Sequence, residues 1–163
     1  MNERPFVSYR FNHQDSNDNK GEKMFQKILL AYDGSDGANR ALEAAIDLAR
    51  LHQGKIWALA VEENLPHVIA TAGEFQDIKE QANEKFRKLL QEAQARTETA
   101  GVELQPLLRA GHPAQTIIEV ARDGEFDVIL VGHSGLSGVW AAFLGTTAEK
   151  VSRHAPCSVL IVR

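Results

Sequence analysis

From Phe25 onward, short apolar bursts alternate with longer amphipathic stretches, the alternation that a parallel sheet with crossover helices requires. Five bursts read as strands, at residues 28–32, 56–61, 102–108, 128–131 and 159–162. The first and fourth are apolar throughout, as strands covered by helices on both faces are, so these two belong in the middle of the sheet. The third contains Pro106, which has no N–H for a ladder and therefore belongs at a sheet edge. Between the strands, Ala38, Ala41, Leu42, Ala45, Ile46 and Ala49 recur at helical spacing, as do Phe75, Ile78, Ala82, Phe86, Leu89 and Ala93. A third helix starts at Pro113, continues through Ile117, Ile118 and Ala121 and stops near Gly124. A fourth covers about residues 147–154. The order βαβαβαβαβ with right-handed crossovers predicts an α/β fold: a doubly wound, Rossmann-like five-stranded parallel sheet, order 3-2-1-4-5, with helices on both faces.

Residues 1–23 show neither period and carry few aliphatics, so they read as a disordered N-terminal tail ahead of one domain spanning residues 24–163. The whole chain of 163 residues is 44% apolar and 25% charged, an ordinary globular composition with enough apolar side chains for one core. Its longest apolar runs have six residues, against about 20 for a bilayer-spanning helix, so no membrane insertion is expected. Eighteen Lys and Arg against 22 Asp and Glu leave a formal charge of −4, a field that disfavours nucleic acid as a partner. The single cysteine, Cys157, cannot form an internal disulfide, and a secretory apolar core is absent from the N-terminus. A reducing cytoplasm fits these features.

In the order 3-2-1-4-5, strands 1 and 4 meet at the switch point, where ligands bind beyond the carboxyl ends of the strands. The residues that follow there are polar and glycine-bearing: Asp33-Gly34-Ser35 after strand 1, Gly132-His133-Ser134-Gly135 after strand 4, and Gly145-Thr146-Thr147 at a helix start. Glycines permit close backbone approach, and the N–H groups of a helix N-terminus bind phosphate without a cationic side chain. The plainer reading is a turn at Gly132 and Gly135, with Thr146 as a cap and Glu149 as its capping-box partner.

Taken together, Gly132-x2-Gly135-x9-Gly145-Thr146 and the first-strand segment KILLAYDGS resemble the universal stress protein family. The resemblance runs from about Phe25 to Arg163 and includes the ending AEKVSRHAPC. Similarity to the ATP-binding branch of that family implies that Asp33 and the main chain near Val61 hold adenine and ribose. It further implies that Gly132, Gly135, Gly145, Thr146 and Thr147 hold ribose and phosphates. Proteins of that branch look like nucleotide-binding regulators of the stress response, generally dimeric and with little or no catalytic role. One departure is that residues 136–144 contain no Lys or Arg. Phosphate stabilisation then falls on amides and hydroxyls, so AMP or ADP are alternatives to ATP, with Mg2+ accompanying the nucleotide. Trp140 and Phe143 in that loop read as packing residues, or else as a stacking cover for the base.

Other chemistries fit less well. There is no GxxxxGK[ST] and no GxGxxG after the first strand, which disfavours P-loop and nicotinamide chemistry. His133 beside the proposed phosphate loop invites a general-acid or pH-sensing role, the simpler reading being an exposed loop histidine. The other histidines lack metal-ligand spacing, so no protein-built metal site is expected. Cys157 reads as a buried structural thiol. Ser35 reads as a helix cap rather than a nucleophile, because no GxSxG elbow surrounds it. The leading function is an ATP-binding regulator with an unidentified protein partner. A slow ATPase or phosphotransferase in the same pocket, or a dimeric scaffold without nucleotide, are the alternatives. The apolar fifth strand, at the edge that Pro106 does not protect, predicts a homodimer paired through residues 157–162.

Overall fold

The computed structural model describes residues 24–63, 72–133 and 145–163. The tail expected over residues 1–23, the loop at 136–144 with Trp140 and Phe143, and Gly135 lie outside the described residues. Among those described, five strands and four helices alternate. They are β1 (Lys27–Ala31), α1 (Asp36–His52), β2 (Lys55–Glu62), α2 (Ala72–Thr99), β3 (Leu104–Ala110), α3 (Pro113–Asp123), β4 (Val128–Gly132), α4 (Thr146–His154) and β5 (Ser158–Val162). The sheet is parallel throughout and ordered β3-β2-β1-β4-β5, the predicted architecture. No helix among the described residues is long and apolar enough to cross a membrane.

Each strand has two apolar faces because helices cover both sides. Ile28, Leu30, Ile56, Ala58, Val128 and Leu130 pack under α1 and α2, while Leu29, Leu59, Leu107 and Ile129 pack under α3 and α4. Ile28, Leu29, Leu30, Ile129 and Leu130 are fully buried, and burial of each such side chain stabilises the fold by about 1.5–3 kcal/mol. The stripe predicted for α1 is the buried one, from Ala38 through Ala49. In α2 the buried residues include Leu90 and Ala93, with Phe86 and Leu89 half-buried against the same core. Pro106 stands opposite Ala58 on β3, at the edge of the sheet. The other edge is β5, whose Leu160 is 42% exposed.

At the amino ends of the strands, Asp127 ties β1 to β4. One carboxylate oxygen, Oδ2, accepts the N–H of Gln26 at 2.7 Å and that of Lys27 at 2.8 Å. The Lys27 ammonium donates to the Gly124 carbonyl and lies 5.5 Å from the centroid of the Phe126 ring and 5.9 Å from that of Trp57. The two rings meet edge to face at 5.3 Å, and together they close the bottom of the α3–α4 layer. Truncation of Asp127 leaves two backbone donors without their acceptor. Asp127→Ala is therefore expected to lower unfolding free energy by about 1–3 kcal/mol in urea titrations. Asp127→Asn, which keeps a carbonyl oxygen, should lose less.

Candidate functional site

β1 lies between β2 and β4, and the carboxyl ends of β1 and β4 meet at the switch point of the sheet, the place where open α/β sheets bind ligands. The Tyr32 N–H donates to the Leu59 carbonyl at 2.9 Å, so β1 runs beside β2 until the chain turns. Asp33 then closes the turn on itself, with its Oδ1 accepting the Ser35 N–H at 3.0 Å. Gly34 supplies the left-handed conformation, at φ +77°, which glycine adopts without steric cost. A side chain there would also collide with Leu89 of α2, its Cβ falling 2.2 Å from Leu89 Cδ1. Ser35, in extended conformation, accepts the Ala38 N–H on its Oγ at 3.2 Å and so caps α1 as predicted.

The last residue of β4 is glycine, and α1 leaves no room there for a side chain. A Cβ would lie 2.5 Å from the Gly37 carbonyl carbon and 2.9 Å from the Ala38 nitrogen, closer than real contacts allow. Gly132 thus seats the first turn of α1. Beyond it, the His133 N–H donates to the Val162 carbonyl at 2.7 Å, and the His133 carbonyl accepts the Gly145 N–H at 2.9 Å. These two bonds fix the start of α4 at the end of β4. Helical geometry leaves the first N–H groups of α4 without carbonyl partners inside the helix, and the helix dipole makes that end favourable for anions.

The structure places Val61, Gly132 and the residue pair Asp33-Gly34 at the carboxyl ends of their strands or just beyond, and Gly145, Thr146 and Thr147 at the start of α4. β1 pairs with β2 as far as Ala31↔Leu59 and Tyr32 still bonds Leu59, so the Asp33 turn follows at the carboxyl end of β1, next to the end of β2 that carries Val61. β1 pairs with β4 as far as Leu30↔Leu130, and Gly132 is the last residue of β4. Gly145 precedes α4, Thr146 opens it in an exposed position and Thr147 follows, half-buried.

Three readings change. Thr146 is not the cap: Gly145 holds that position without a side-chain bond. Glu149 instead pairs with Arg153 at 3.0 Å, one turn away on the exposed face, so no capping box forms. His133 is not an exposed loop residue but 6% exposed, and its Nε2 has no hydrogen-bond partner among the described residues. Cys157 is half-buried rather than buried, packed against the α3–α4 layer. Burial pushes its thiol pKa up, with the charge of Asp127 adding to the effect, which keeps it from behaving as a nucleophile. Sequence reasoning passed over Asn39, which joins the Asp33 turn to α1 through its side chain; it carries no motif, only a polar residue one turn inside a helix.

The model of the universal stress protein family matches residues 24–163, and the chain belongs to that family. It is 38% identical over 141 residues to the universal stress protein in the QAH/OAS sulfhydrylase 3'region of Thermus aquaticus, covering 86% of this chain and 100% of that one. Among solved structures, it resembles the universal stress protein UspA from Lactobacillus plantarum with a TM-score of 0.75 and 26% identity, covering 87% of this chain and 100% of the other. It also resembles a universal stress protein crystallised in complex with cAMP, with a TM-score of 0.66 and 26% identity, over 86% of this chain and 98% of that one.

The tight seat at Gly132 predicts a stability effect independent of any ligand. Gly132→Ala must displace the first turn of α1, and is expected to cost about 1–3 kcal/mol by denaturant titration. An unchanged midpoint would show that α1 does not rest on this glycine.

Proposed function

We propose that this protein is a cytoplasmic adenine-nucleotide-binding regulator that takes ATP, or AMP or ADP, in the crevice between the β1 and α4 ends. The observation that carries this reading is the pairing of a carboxylate turn with a helix N-terminus across the switch point. Asp33 offers acceptors at one end of the crevice, and α4 offers N–H donors at the other, held through the His133 carbonyl. Asp33 and the Val61 main chain suit adenine and ribose hydroxyls, which can donate to a carboxylate or carbonyl. Gly132, Gly135, Gly145, Thr146 and Thr147 suit ribose and phosphates, with amides and hydroxyls in place of the cations absent from residues 136–144. The cAMP complex of a relative supports adenine nucleotides as the ligand class.

The described residues include no group of three His, Cys, Asp or Glu side chains able to hold a metal. In this reading Mg2+ travels on the nucleotide phosphates. Asp33 sits at the sugar end because a carboxylate beside the phosphates would repel them. Its task is recognition, and the nucleotide state would be read on the surface by a protein partner.

Asp33→Ala is expected to weaken adenosine and ATP alike, by about 10-fold or more for a lost bond to a charged acceptor. Gly145→Val should weaken ATP far more than adenosine; position 145 has φ −60° and ψ 145°, which valine adopts, so the fold is retained. Calorimetry on freshly purified protein, with mass spectrometry of any released ligand, measures both. Unchanged ATP affinity in both folded variants would overturn the site. Lost hydrolysis with intact binding in Asp33→Ala would favour a slow ATPase.

We further propose that β5 pairs with its symmetry mate in a homodimer. Among the described residues β5 is the edge of the sheet and Leu160 is exposed, and an unpaired edge there would leave both backbone groups and apolar surface in water. An antiparallel pair across a two-fold axis closes the assembly without a further edge. Sedimentation at micromolar concentration should show a dimer, and Leu160→Glu should shift it to monomer. A wild-type chain that is strictly monomeric would refute the pairing.

A further inference from the structure

We propose that Asn39 is the positioning residue of the nucleotide-recognition turn, its carboxamide holding residues 33–35 so that the Asp33 carboxylate faces the ligand. The inference rests on the adenine-nucleotide reading above and adds a residue that touches no ligand itself.

Every hydrogen-bonding group of the Asn39 carboxamide has a partner. Its Nδ2 donates to the carbonyls of Gly34 and Ser35, each at 3.1 Å. Its Oδ1 accepts from the Tyr32 hydroxyl at 2.8 Å and from Arg96 Nη1 at 2.6 Å. The two donors and two carbonyls fix which end of the amide is which, since the reverse orientation would set NH2 against donors and oxygen against carbonyls. One side chain thereby ties together the end of β1, the turn that follows it, the first turns of α1 and the far end of α2.

The turn needs such a tie. Gly34 is in a conformation that the unfolded chain leaves freely, and among the described residues the Asp33 carboxylate bonds the Ser35 N–H of its own turn. Asparagine is also a poor helix former compared with alanine, by about half a kcal/mol, so α1 gains nothing from it as a helical residue. Tyr32 is 4% exposed, and burial, its largest influence, raises its pKa above the ordinary value. The phenol therefore stays protonated and remains a donor. Arg96 is braced in turn by Glu43 on the next turn of α1. That ion pair is solvent-exposed and contributes little stability of its own, but it aims the guanidinium at Asn39.

A double-mutant cycle on adenosine affinity tests the assignment. Asn39→Asp keeps acceptors for Tyr32 and Arg96 but removes the donor and turns an oxygen toward the Gly34 and Ser35 carbonyls. Calorimetry should show about a 10-fold loss of affinity in the presence of Asp33, and less than about twofold in the Asp33→Ala background. Equal losses in both backgrounds would mean that Asn39 only supports the fold, and would overturn the proposal. If the wild-type chain binds no adenosine, it is the nucleotide reading that fails. Positioning is then read without ligand, from amide exchange: Asn39→Asp should speed exchange at Ser35 at least 10-fold relative to Leu29, and an unchanged ratio overturns it. Should Asn39→Asp not fold, Arg96→Met removes one of the two donors to Asn39 Oδ1 together with the Glu43 pair and leaves the Asn39 bonds to the Gly34 and Ser35 carbonyls in place, and the same cycle and exchange ratio apply with about two- to threefold effects expected.

Discussion

At the seam between β1 and β4, the backbone of Gly37 occupies the space that a side chain at position 132 would need. That close approach sets how deep α1 beds against the sheet, and the depth of α1 sets much else. The Ser35 cap, the Asp33 turn and Asn39 all belong to the first turns of this helix or the link into it. A helix raised by even one methyl group would carry the whole carboxylate turn away from the end of β4. Protein interiors tolerate little such play, because they are packed at the density of organic crystals. Gly132, one of the glycines proposed to hold ribose and phosphates, therefore acts first on the helix that follows the Asp33 turn.

Much of the fold was legible because the strongest signals were local and redundant. The α1 stripe from Ala38 to Ala49 is a simple helical repeat, and Pro106 marks an edge by lacking a donor. The two wholly apolar strands could only lie where helices cover both faces. Chain connectivity then left few sheet orders, and one placed the ends of strands 1 and 4 side by side. The candidate site was legible as a place, and as a family pattern, before its geometry was.

What escaped depended on partners far away in sequence. His133 looks like a loop residue, yet its backbone is held between Val162 and Gly145, and nothing near position 133 announces either bond. Thr146 and Glu149 have capping-box spacing, but the helix begins one residue earlier than the pattern implies, so the threonine falls inside the first turn. Asn39 carries no motif because its meaning lies in Arg96, 57 residues on. Spacing rules describe a chain locally, whereas these bonds are set by the order of strands in space.

The Asp127 bonds to Gln26 and Lys27 span 101 and 100 residues, and that separation bears on the order in which the molecule assembles. Closing so long a loop costs entropy before any contact offsets it, while β1, α1 and β2 can dock as a neighbouring unit. Among the strand pairs, the β1–β4 seam therefore carries a larger closure entropy than β1 with β2, and pairings this distant in sequence favour slow folding. Until that seam closes, one side of β1 presents unpaired backbone and apolar residues, the form of the chain most open to association with other unfolded chains. The β1 and β4 ends that bound the candidate site come together only when this seam forms, so the site rests on the most distant strand pairing in the sheet.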